Sequence, residues 1–136
     1  MAGIEQQRAA IGVILRAGSL LMITRADTEL APGMVCFPGG GVKSGETIET
    51  ALVREFQEEL SVEVIPDREL WRSRSPRGTE LHWWLAGLCE QQLIVPNPAE
   101  VAAFQWLEIE EIQRLENVLQ SNHEFFEAWN DGRFAV

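Results

Sequence analysis

Stretches of apolar and polar residues predict short strands on either side of one long amphipathic helix. Two apolar runs, Ala9–Leu15 and Leu20–Ile23, flank a turn at Arg16–Ser19 and predict a pair of strands, the first of them buried on both faces. From Ile48 to Leu60 the chain has no Pro or Gly, and apolar residues recur at helical spacing after a suitable N-cap residue at Thr47. A helix of about three and a half turns is therefore predicted there.

The remainder of the chain predicts further strands and two more helices. Glycine and proline mark the turns between them, and residues 73–79 (SRSPRGT) are predicted to form a polar, basic hairpin loop. The predicted elements are strands at Met34–Phe37, at Val62–Trp71 with an interruption at Pro66-Asp67, at Glu80–Glu90 and at Phe104–Leu107, and helices at Glu108–Leu119 and from a cap at Ser121 or Asn122 to Trp129.

Three glutamates share one face of the first predicted helix. Placing residues about 100° apart brings Glu55, Glu58 and Glu59 together beside the apolar stripe. Like charges at this spacing repel by roughly a few tenths of a kcal/mol per pair, and a divalent cation, which prefers carboxylate oxygens, is the simplest compensation. Arg54 lies one turn before Glu58 and can orient it through a charge-assisted hydrogen bond. The alternative is an acidic face that is simply solvated.

A glycine-rich loop precedes this helix and favours the cation. The run Phe37–Gly41 (FPGGG) lets main-chain amides and carbonyls approach a charged ligand closely. Residues 40–62, GGVKSGETIETALVREFQEELSV, fit the spacing G-x5-E-x7-R-E-U-x-E-E-x-G-U, where U is a bulky apolar residue, and this stretch resembles the Nudix box. Ser61 replaces the last glycine of that pattern, at a cost of about 1 kcal/mol or less at a left-handed helix end. The matching positions are Gly40, Glu46, Arg54, Glu55, Glu58, Glu59 and Val62.

The resemblance implies a fold and a cofactor. The expected fold is α/β, the Nudix α/β/α sandwich with a central mixed β-sheet, in one domain that spans residues 1–136. The expected cofactor is Mg²⁺, with Mn²⁺ as a substitute, bound by the three box glutamates and by the backbone carbonyl of Gly39 or Gly40. Glu46 is expected to close the loop against Arg54 or against a metal-bound water. The candidates for the general base are Glu55, Glu58 and Glu100.

Arg25 and one of two tryptophans, which all precede the last predicted strand, are candidates for binding the substrate. Arg25 follows an apolar strand, as a basic residue often does in MutT-like proteins, and it either points towards a substrate phosphate or pairs with Asp27 or Glu29. Trp83 and Trp84 point to opposite sides of a predicted strand. One of them, assigned here as Trp83, is expected to stack on a nucleobase; the alternative is that both pack in the core.

Two later residues are assigned through the resemblance. MutT-like proteins carry an acidic residue upstream of a strand tryptophan that reaches the metal or the water, which implies this role for Glu100; the alternative is an exposed loop glutamate. They also use an asparagine near the C-terminus to read a purine, which implies Asn122, although an asparagine there is equally a good helix cap. His82 is interpreted as structural, because the expected metal chemistry already has enough oxygen ligands.

Composition and charge limit the partners. With 136 residues, 46% of them hydrophobic and 24% charged, the chain has the composition of one globular domain. A formal net charge of −10 disfavours a nucleic acid polymer, whereas a small nucleotide with metal ions stays compatible. No run has the length of a signal or membrane segment, so we expect a cytoplasmic protein without a membrane partner, as a monomer or homodimer. Cys36 and Cys89 are expected to be buried or partly buried thiols.

The resemblance implies hydrolysis of a phosphoanhydride bond in a nucleoside diphosphate linked to another group. Chain length together with Arg25, Glu100 and Asn122 favours a MutT-like (d)NTP pyrophosphohydrolase that gives a nucleoside monophosphate and pyrophosphate. The alternative enzyme is a nucleotide-sugar or ADP-ribose pyrophosphatase. An alternative of another class is a non-catalytic, nucleotide-binding regulatory domain, which the presence of all three box glutamates disfavours.

Overall fold

The computed structural model describes residues 7–89 and 91–136, so residues 1–6 and Glu90, the last residue of one predicted strand, lie outside the description. In the described part the chain folds into eight strands and three helices. The strands are β1 (Arg8–Val13), β2 (Leu15–Arg16), β3 (Ser19–Arg25), β4 (Val35–Cys36), β5 (Gly39–Gly41), β6 (Val64–Arg74), β7 (Glu80–Leu88) and β8 (Val101–Leu107). The helices are α1 (Ile48–Leu60), α2 (Ile109–Arg114) and α3 (Gln120–Asn130).

The strands form two four-stranded sheets. In the mixed sheet the order is β5-β1-β7-β6, with β1 parallel to β7 and the other neighbours antiparallel. In the second sheet β3 pairs antiparallel with β2, β4 and β8. The predicted pairing of the first two apolar runs is confirmed only at the turn. The run Ala9–Leu15 divides at Ile14: its end, in β2, pairs with β3, whereas β1 pairs with β5 and β7.

The mixed sheet is the central layer between helices. On one face Phe56 of α1 packs in a core cluster with Ala10 of β1. On the other face Trp83 of β7 packs with Ile112 of α2 and Phe125 of α3. This arrangement is the predicted α/β/α sandwich. None of the helices in the described residues is long and apolar enough to cross a membrane.

Helix α2 is shorter than predicted. The sequence predicts helix as far as Leu119, but α2 ends at Arg114. The following backbone pairs with β4 instead: the Val35 N–H donates to the Asn117 carbonyl at 2.7 Å, and the Leu119 N–H donates to the Val35 carbonyl at 3.1 Å. Hydrogen bonds to a distant strand therefore replace those that would have continued the helix.

Helix α3 starts before the predicted cap. Leu119 occupies the N-cap position without a side-chain hydrogen bond, and Ser121 and Asn122 lie inside the first turn. The Oδ1 atom of Asn122 accepts a hydrogen bond from the backbone N–H of Phe37 at 3.0 Å. The capping prediction is wrong, because this side chain serves the loop that leaves β4 rather than its own helix.

Helix α1 has the predicted bounds. The hydroxyl of its N-cap, Thr47, accepts a hydrogen bond from the Thr50 N–H at 3.1 Å. At the other end Ser61 is in the left-handed conformation, with φ 58° and ψ 34°. A side chain is unfavourable in that conformation, whereas glycine adopts it freely.

Replacing Ser61 with glycine is therefore expected to stabilise the fold. The free energy of unfolding should rise by up to about 1 kcal/mol, because the strain of the left-handed Cβ disappears. Urea denaturation measures the change, and Ser61→Ala, which keeps the Cβ atom, is the matched control that should give no gain. A Ser61→Gly variant no more stable than Ser61→Ala would contradict the account.

Candidate active site

The glycine loop is tied to helix α1 through its backbone. Gly39 adopts φ 146° in β5, and a Cβ atom there would lie 2.2 Å from the Ala10 carbonyl oxygen, so the position accepts only glycine. The Gly39 N–H donates to Oε1 of Glu59 in α1 at 2.9 Å. The loop and the carboxylate therefore hold each other in place.

Arg54 is the centre of the charged network. Its guanidinium donates to both carboxylate oxygens of Glu46 at 2.8 Å, and to the Gly41 carbonyl at 2.8 Å. It also donates to Glu55 at 3.0 Å and to Glu58 at 3.2 Å. The hydrogen bonds from Arg54 to Glu46, with a further one from the Lys43 N–H, lower the pKa of Glu46 to about 2. The predicted closure of the loop by Glu46 against Arg54 is present.

A cleft of about 270 Å³ opens between the glycine loop, α1 and the second sheet. Its lining residues are far apart in the chain, and most of the charged ones are acidic. Its lining residues are Ile23, Arg25, Glu29, Gly39, Gly40, Gly41, Glu55, Glu59 and Glu100.

Burial makes the charged forms of Glu55, Glu59 and Glu100 unfavourable. Desolvation raises the pKa of Glu59 from 4.5 to about 8, although its hydrogen bond from Gly39 opposes the shift. Desolvation also raises the pKa of Glu55, against the effect of Arg54, and that of Glu100, to which the neighbouring charge of Glu29 adds. Three carboxylates that resist ionisation thus face one small cleft.

The cleft has the chemistry of a cation site. Carboxylate oxygens are the preferred ligands of Mg²⁺, and Oε2 of Glu100 is buried without a hydrogen-bond partner in the described part of the chain. Among the described residues no three His, Cys, Asp or Glu side chains already converge as a metal-ligand set. Arg54 donates hydrogen bonds to Glu55 and Glu58. The carboxylates of the cleft fit a bound cation, whose charge would add to that of Arg54 in neutralising them.

Comparison with known proteins identifies the family. The NUDIX domain family model matches residues 6–129, which include the glycine loop, α1 and the turn that carries Glu100. The chain belongs to the Nudix family. Nudix enzymes generally use a divalent metal such as Mg²⁺, which agrees with the acidic cleft.

Relatives and solved structures agree with this assignment. The RNA pyrophosphohydrolase of Erythrobacter litoralis (strain HTCC2594) is 30% identical over 79% of this chain and 80% of that protein. The 8-oxo-dGTP diphosphatase of Escherichia coli (strain K12) is 40% identical over 43% of this chain, and the match spans 46% of that relative. A MutT protein from Methanosarcina mazei Go1 shares the fold, with a TM-score of 0.80 at 18% identity, over 96% of this chain and 99% of the other. The protein is thus a hydrolase of the Nudix pyrophosphohydrolase family.

The Nudix carboxylates are not equivalent in position. The sequence treats Glu58 and Glu59 alike, but the side chain of Glu58 is 42% exposed and held by Arg54, whereas Glu59 is buried on the cleft. Sequence reasoning missed Glu29 as a wall of the cleft and considered it only as a partner of Arg25. Its position four residues after Arg25, in a loop following a core strand, was the available signal.

Arg25 lines the cleft. Its Nε atom donates to the Leu30 carbonyl at 2.5 Å, and its Nη2 atom lies 3.7 Å from a carboxylate oxygen of Glu29. The alternative of a salt bridge to Glu29 is present, and this salt bridge forms at the wall of the cleft. Binding a phosphate through Arg25 remains a prediction.

The prediction that Trp83 stacks on a nucleobase is wrong. Trp83 is completely buried, its ring stacks on Phe125 at a centroid distance of 4.6 Å, and its indole N–H donates to the Ser73 hydroxyl at 3.0 Å. No ring face is left for a ligand. Trp84 points to the opposite side and packs against the core cluster of α1.

Two other polar side chains are buried. Asn122 is 3% exposed and its oxygen is occupied by the Phe37 N–H, so reading a purine would require this hydrogen bond to open and remains a prediction. His82 lies between the carboxylates of Glu80, at 2.6 Å, and Glu69, at 3.4 Å, in β7 and β6, away from the cleft. The structure supports a structural role for His82. Of the thiols, Cys36 is buried as expected and Cys89 is exposed.

The Nudix protein without metal is expected to lose stability as the pH rises from about 4.5 to about 8. Because the pKa of Glu59 is raised on folding, the folded state binds more protons than the unfolded state in this window, and the free energy of unfolding falls as protons leave. The loss is on the order of a few kcal/mol, since one pKa unit corresponds to about 1.4 kcal/mol. Urea denaturation in EDTA at several pH values measures it. The Glu59→Gln variant should show a flatter profile, and equal slopes in the two proteins would contradict the raised pKa.

Proposed function

We propose that this protein is a Mg²⁺-dependent Nudix pyrophosphohydrolase that cleaves a phosphoanhydride bond in a (d)NTP, giving a nucleoside monophosphate and pyrophosphate. The observation that carries the proposal is the cleft that Glu55, Glu59 and Glu100 line together with Arg25 and the glycine loop. Several carboxylates and one guanidinium around the same cleft suit a substrate whose phosphates arrive with a cation.

The box residues are assigned to holding the cation. Glu55 and Glu59 line the cleft, Glu58 lies beside them on α1, and the carbonyl of Gly39 is the proposed backbone ligand. A cation held by these residues would neutralise charge on the phosphates and would activate a water for attack. Arg54 holds Glu55 and Glu58 in orientation through its hydrogen bonds to them.

Glu100 is the group best placed to accept a proton from the attacking water. Its Oε2 atom is buried without a partner among the described residues, so it has a free acceptor site. Its pKa is raised by desolvation and by Glu29, which makes it a stronger base than an exposed carboxylate. Glu55 and Glu58, the other candidates, both accept hydrogen bonds from Arg54.

The net charge of the chain and the names of its relatives support a (d)NTP as the substrate. A net charge of −10 disfavours long polyanions, and relatives include proteins named 8-oxo-dGTP diphosphatase and nucleoside triphosphatase NudI. An ADP-ribose pyrophosphatase from Streptococcus suis shares the fold at 18% identity with a TM-score of 0.69, which keeps that class of substrate as the alternative.

A substrate panel tests the proposal. Purified protein with Mg²⁺ is incubated with dNTPs, oxidised dNTPs, ADP-ribose, nucleotide sugars and a 5′-triphosphorylated RNA oligonucleotide, and products are separated by ion-exchange chromatography. We expect a (d)NTP to give the highest kcat/KM, with nucleoside monophosphate and pyrophosphate as products and no reaction in EDTA. Faster turnover of ADP-ribose, a nucleotide sugar or the RNA would overturn the (d)NTP assignment. Nucleotide binding without any turnover would favour a regulatory domain.

A further inference from the structure

Glu100 is carried by a short turn rather than by a helix or strand. Residues 98–100 form this turn immediately before β8, and it lies between the C-terminus of α1 and the loop that follows β3. A carboxylate on a turn is held only as firmly as the turn itself. The hydrogen bonds of this turn therefore decide where the carboxylate of Glu100 stands.

The first attachment is to helix α1. The last carbonyls of a helix have no partners within it. Here the Glu59 carbonyl accepts a hydrogen bond from the Asn97 N–H at 2.8 Å, and the Leu60 carbonyl accepts one from the Val95 N–H at 2.9 Å. The segment that leads into the turn thus caps α1, and its position is set by Glu59, whose side chain lines the cleft.

Asn97 closes the turn with its side chain and its carbonyl. Its Oδ1 atom accepts a hydrogen bond from the Ala99 N–H at 3.1 Å, two residues ahead. Its backbone oxygen accepts hydrogen bonds from Glu100 N–H at 3.0 Å and from Val101 N–H at 2.8 Å. Such local side-chain bonds stabilise turns in place of regular secondary structure.

Thr28 attaches the turn to the opposite wall of the cleft. Its hydroxyl donates to the Ala99 carbonyl at 2.7 Å, across 71 positions of sequence. Next to it, the Ala26 N–H donates to the Glu100 carbonyl at 3.1 Å. The loop that contributes Glu29 to the cleft therefore also holds the turn that contributes Glu100.

We propose that Thr28 and Asn97 are positioning residues, which fix the turn so that the carboxylate of Glu100 stands in the cleft. Neither side chain lines the cleft, so each acts through Glu100. The inference rests on the role of Glu100 in the proposed function. A displacement of about 1 Å at a reacting group can cost about a hundredfold in rate, so loosening the turn lowers kcat more than substrate affinity.

The test uses Thr28→Val, which keeps the shape but removes the donor, beside Thr28→Ser, which keeps the donor. Asn97→Ala is made in parallel, and Thr79→Val, in the hairpin loop after β6, is the matched control. Each is assayed alone and in the Glu100→Gln background, with the substrate that the panel finds best. Hydrogen exchange of the Glu100 and Val101 amides is measured by NMR in the metal-free proteins.

We expect Thr28→Val to lower kcat by about tenfold with KM changed by less than about twofold, and Thr28→Ser to restore kcat. In the Glu100→Gln background Thr28→Val should cause no further loss, because the group that it positions is gone. Exchange at the two amides should quicken by about tenfold in Thr28→Val and in Asn97→Ala, and should stay unchanged in Thr79→Val.

Three results would overturn the proposal: a Thr28→Val enzyme with wild-type kcat, losses that multiply in the Glu100→Gln background, or a Glu100→Gln enzyme with full activity. If the panel finds no substrate at all, the proposed function fails and the exchange measurement still decides this inference. Unchanged amide exchange in Thr28→Val would then show that the threonine does not hold the turn.

Discussion

Replacing Glu59 with glutamine is expected to lower kcat for phosphoanhydride hydrolysis by about a hundredfold to a thousandfold. Glu59 is buried on the cleft, and an amide cannot supply the negative charge that holds a cation. The fold should persist, because the amide oxygen of glutamine can still accept the hydrogen bond that the Gly39 N–H donates. Steady-state kinetics with Mg²⁺ and thermal unfolding of the same samples measure the two effects.

Glu49→Gln is the matched control for this substitution. Glu49 lies in the first turn of α1 and is exposed, so the change removes the same charge from the same helix without touching the cleft. We expect its kcat to stay within about twofold of the wild type, since surface substitutions rarely act at a distance. Near-normal turnover by Glu59→Gln would refute the metal assignment.

Replacing Gly40 with alanine is expected to lower kcat by about a hundredfold while the free energy of unfolding changes little. The new Cβ atom would lie 2.5 Å from Oε2 of Glu55, so that carboxylate must move. A carboxylate at the end of a side chain moves easily, which makes the damage one of position rather than of folding. Kinetics and urea denaturation of the same variant separate the two.

Gly41→Ala provides the comparison for this second substitution. A Cβ atom at Gly41 meets nothing within 4 Å, and its carbonyl, which accepts from Arg54, is retained. Its kcat should be close to that of the wild type. Equal rates for Gly40→Ala and Gly41→Ala would mean that the position of Glu55 does not matter for the reaction.

The bounds of α1 could be predicted from the sequence, but the different positions of Glu58 and Glu59 could not. Helical spacing, the Thr47 cap and the absence of Pro and Gly were enough for the exact bounds of α1. Spacing alone cannot distinguish Glu58 from Glu59. The difference arises from the glycine loop, whose Gly39 N–H meets Glu59, and from Arg54, which holds Glu58 towards solvent.

Errors in the fold prediction came from long-range pairing. Apolar runs such as Ala9–Leu15 predict strands but carry no information on which strand lies beside them. The end of α2 depended on Val35, whose backbone groups bond with the residues after Leu115. Alternation placed Trp83 and Trp84 on opposite faces, yet only the structure showed that α3 covers the Trp83 face.

The substrate residues were the least predictable part of the site. Glu100 was found only through the family resemblance, and its turn depends on contacts with Thr28 and Glu59 that are distant in sequence. Asn122 was assigned in the same way, and the structure shows its oxygen bonded to Phe37. Single residues in loops carry no periodic pattern from which their partners could be read.

The most direct test of the account is the location of the bound cation, because the surface offers a competing acidic group. Glu124, Glu127 and Asp131 line a separate cavity of about 200 Å³ beside Trp71. Mn²⁺ titrated into isotopically labelled protein broadens the NMR signals of nearby amides. We predict that the Gly39–Gly41, Glu59 and Glu100 amides broaden first and that Glu59→Gln weakens the effect. Broadening centred on Glu127 and Asp131, with the cleft amides unchanged, would contradict the assignment of the active site.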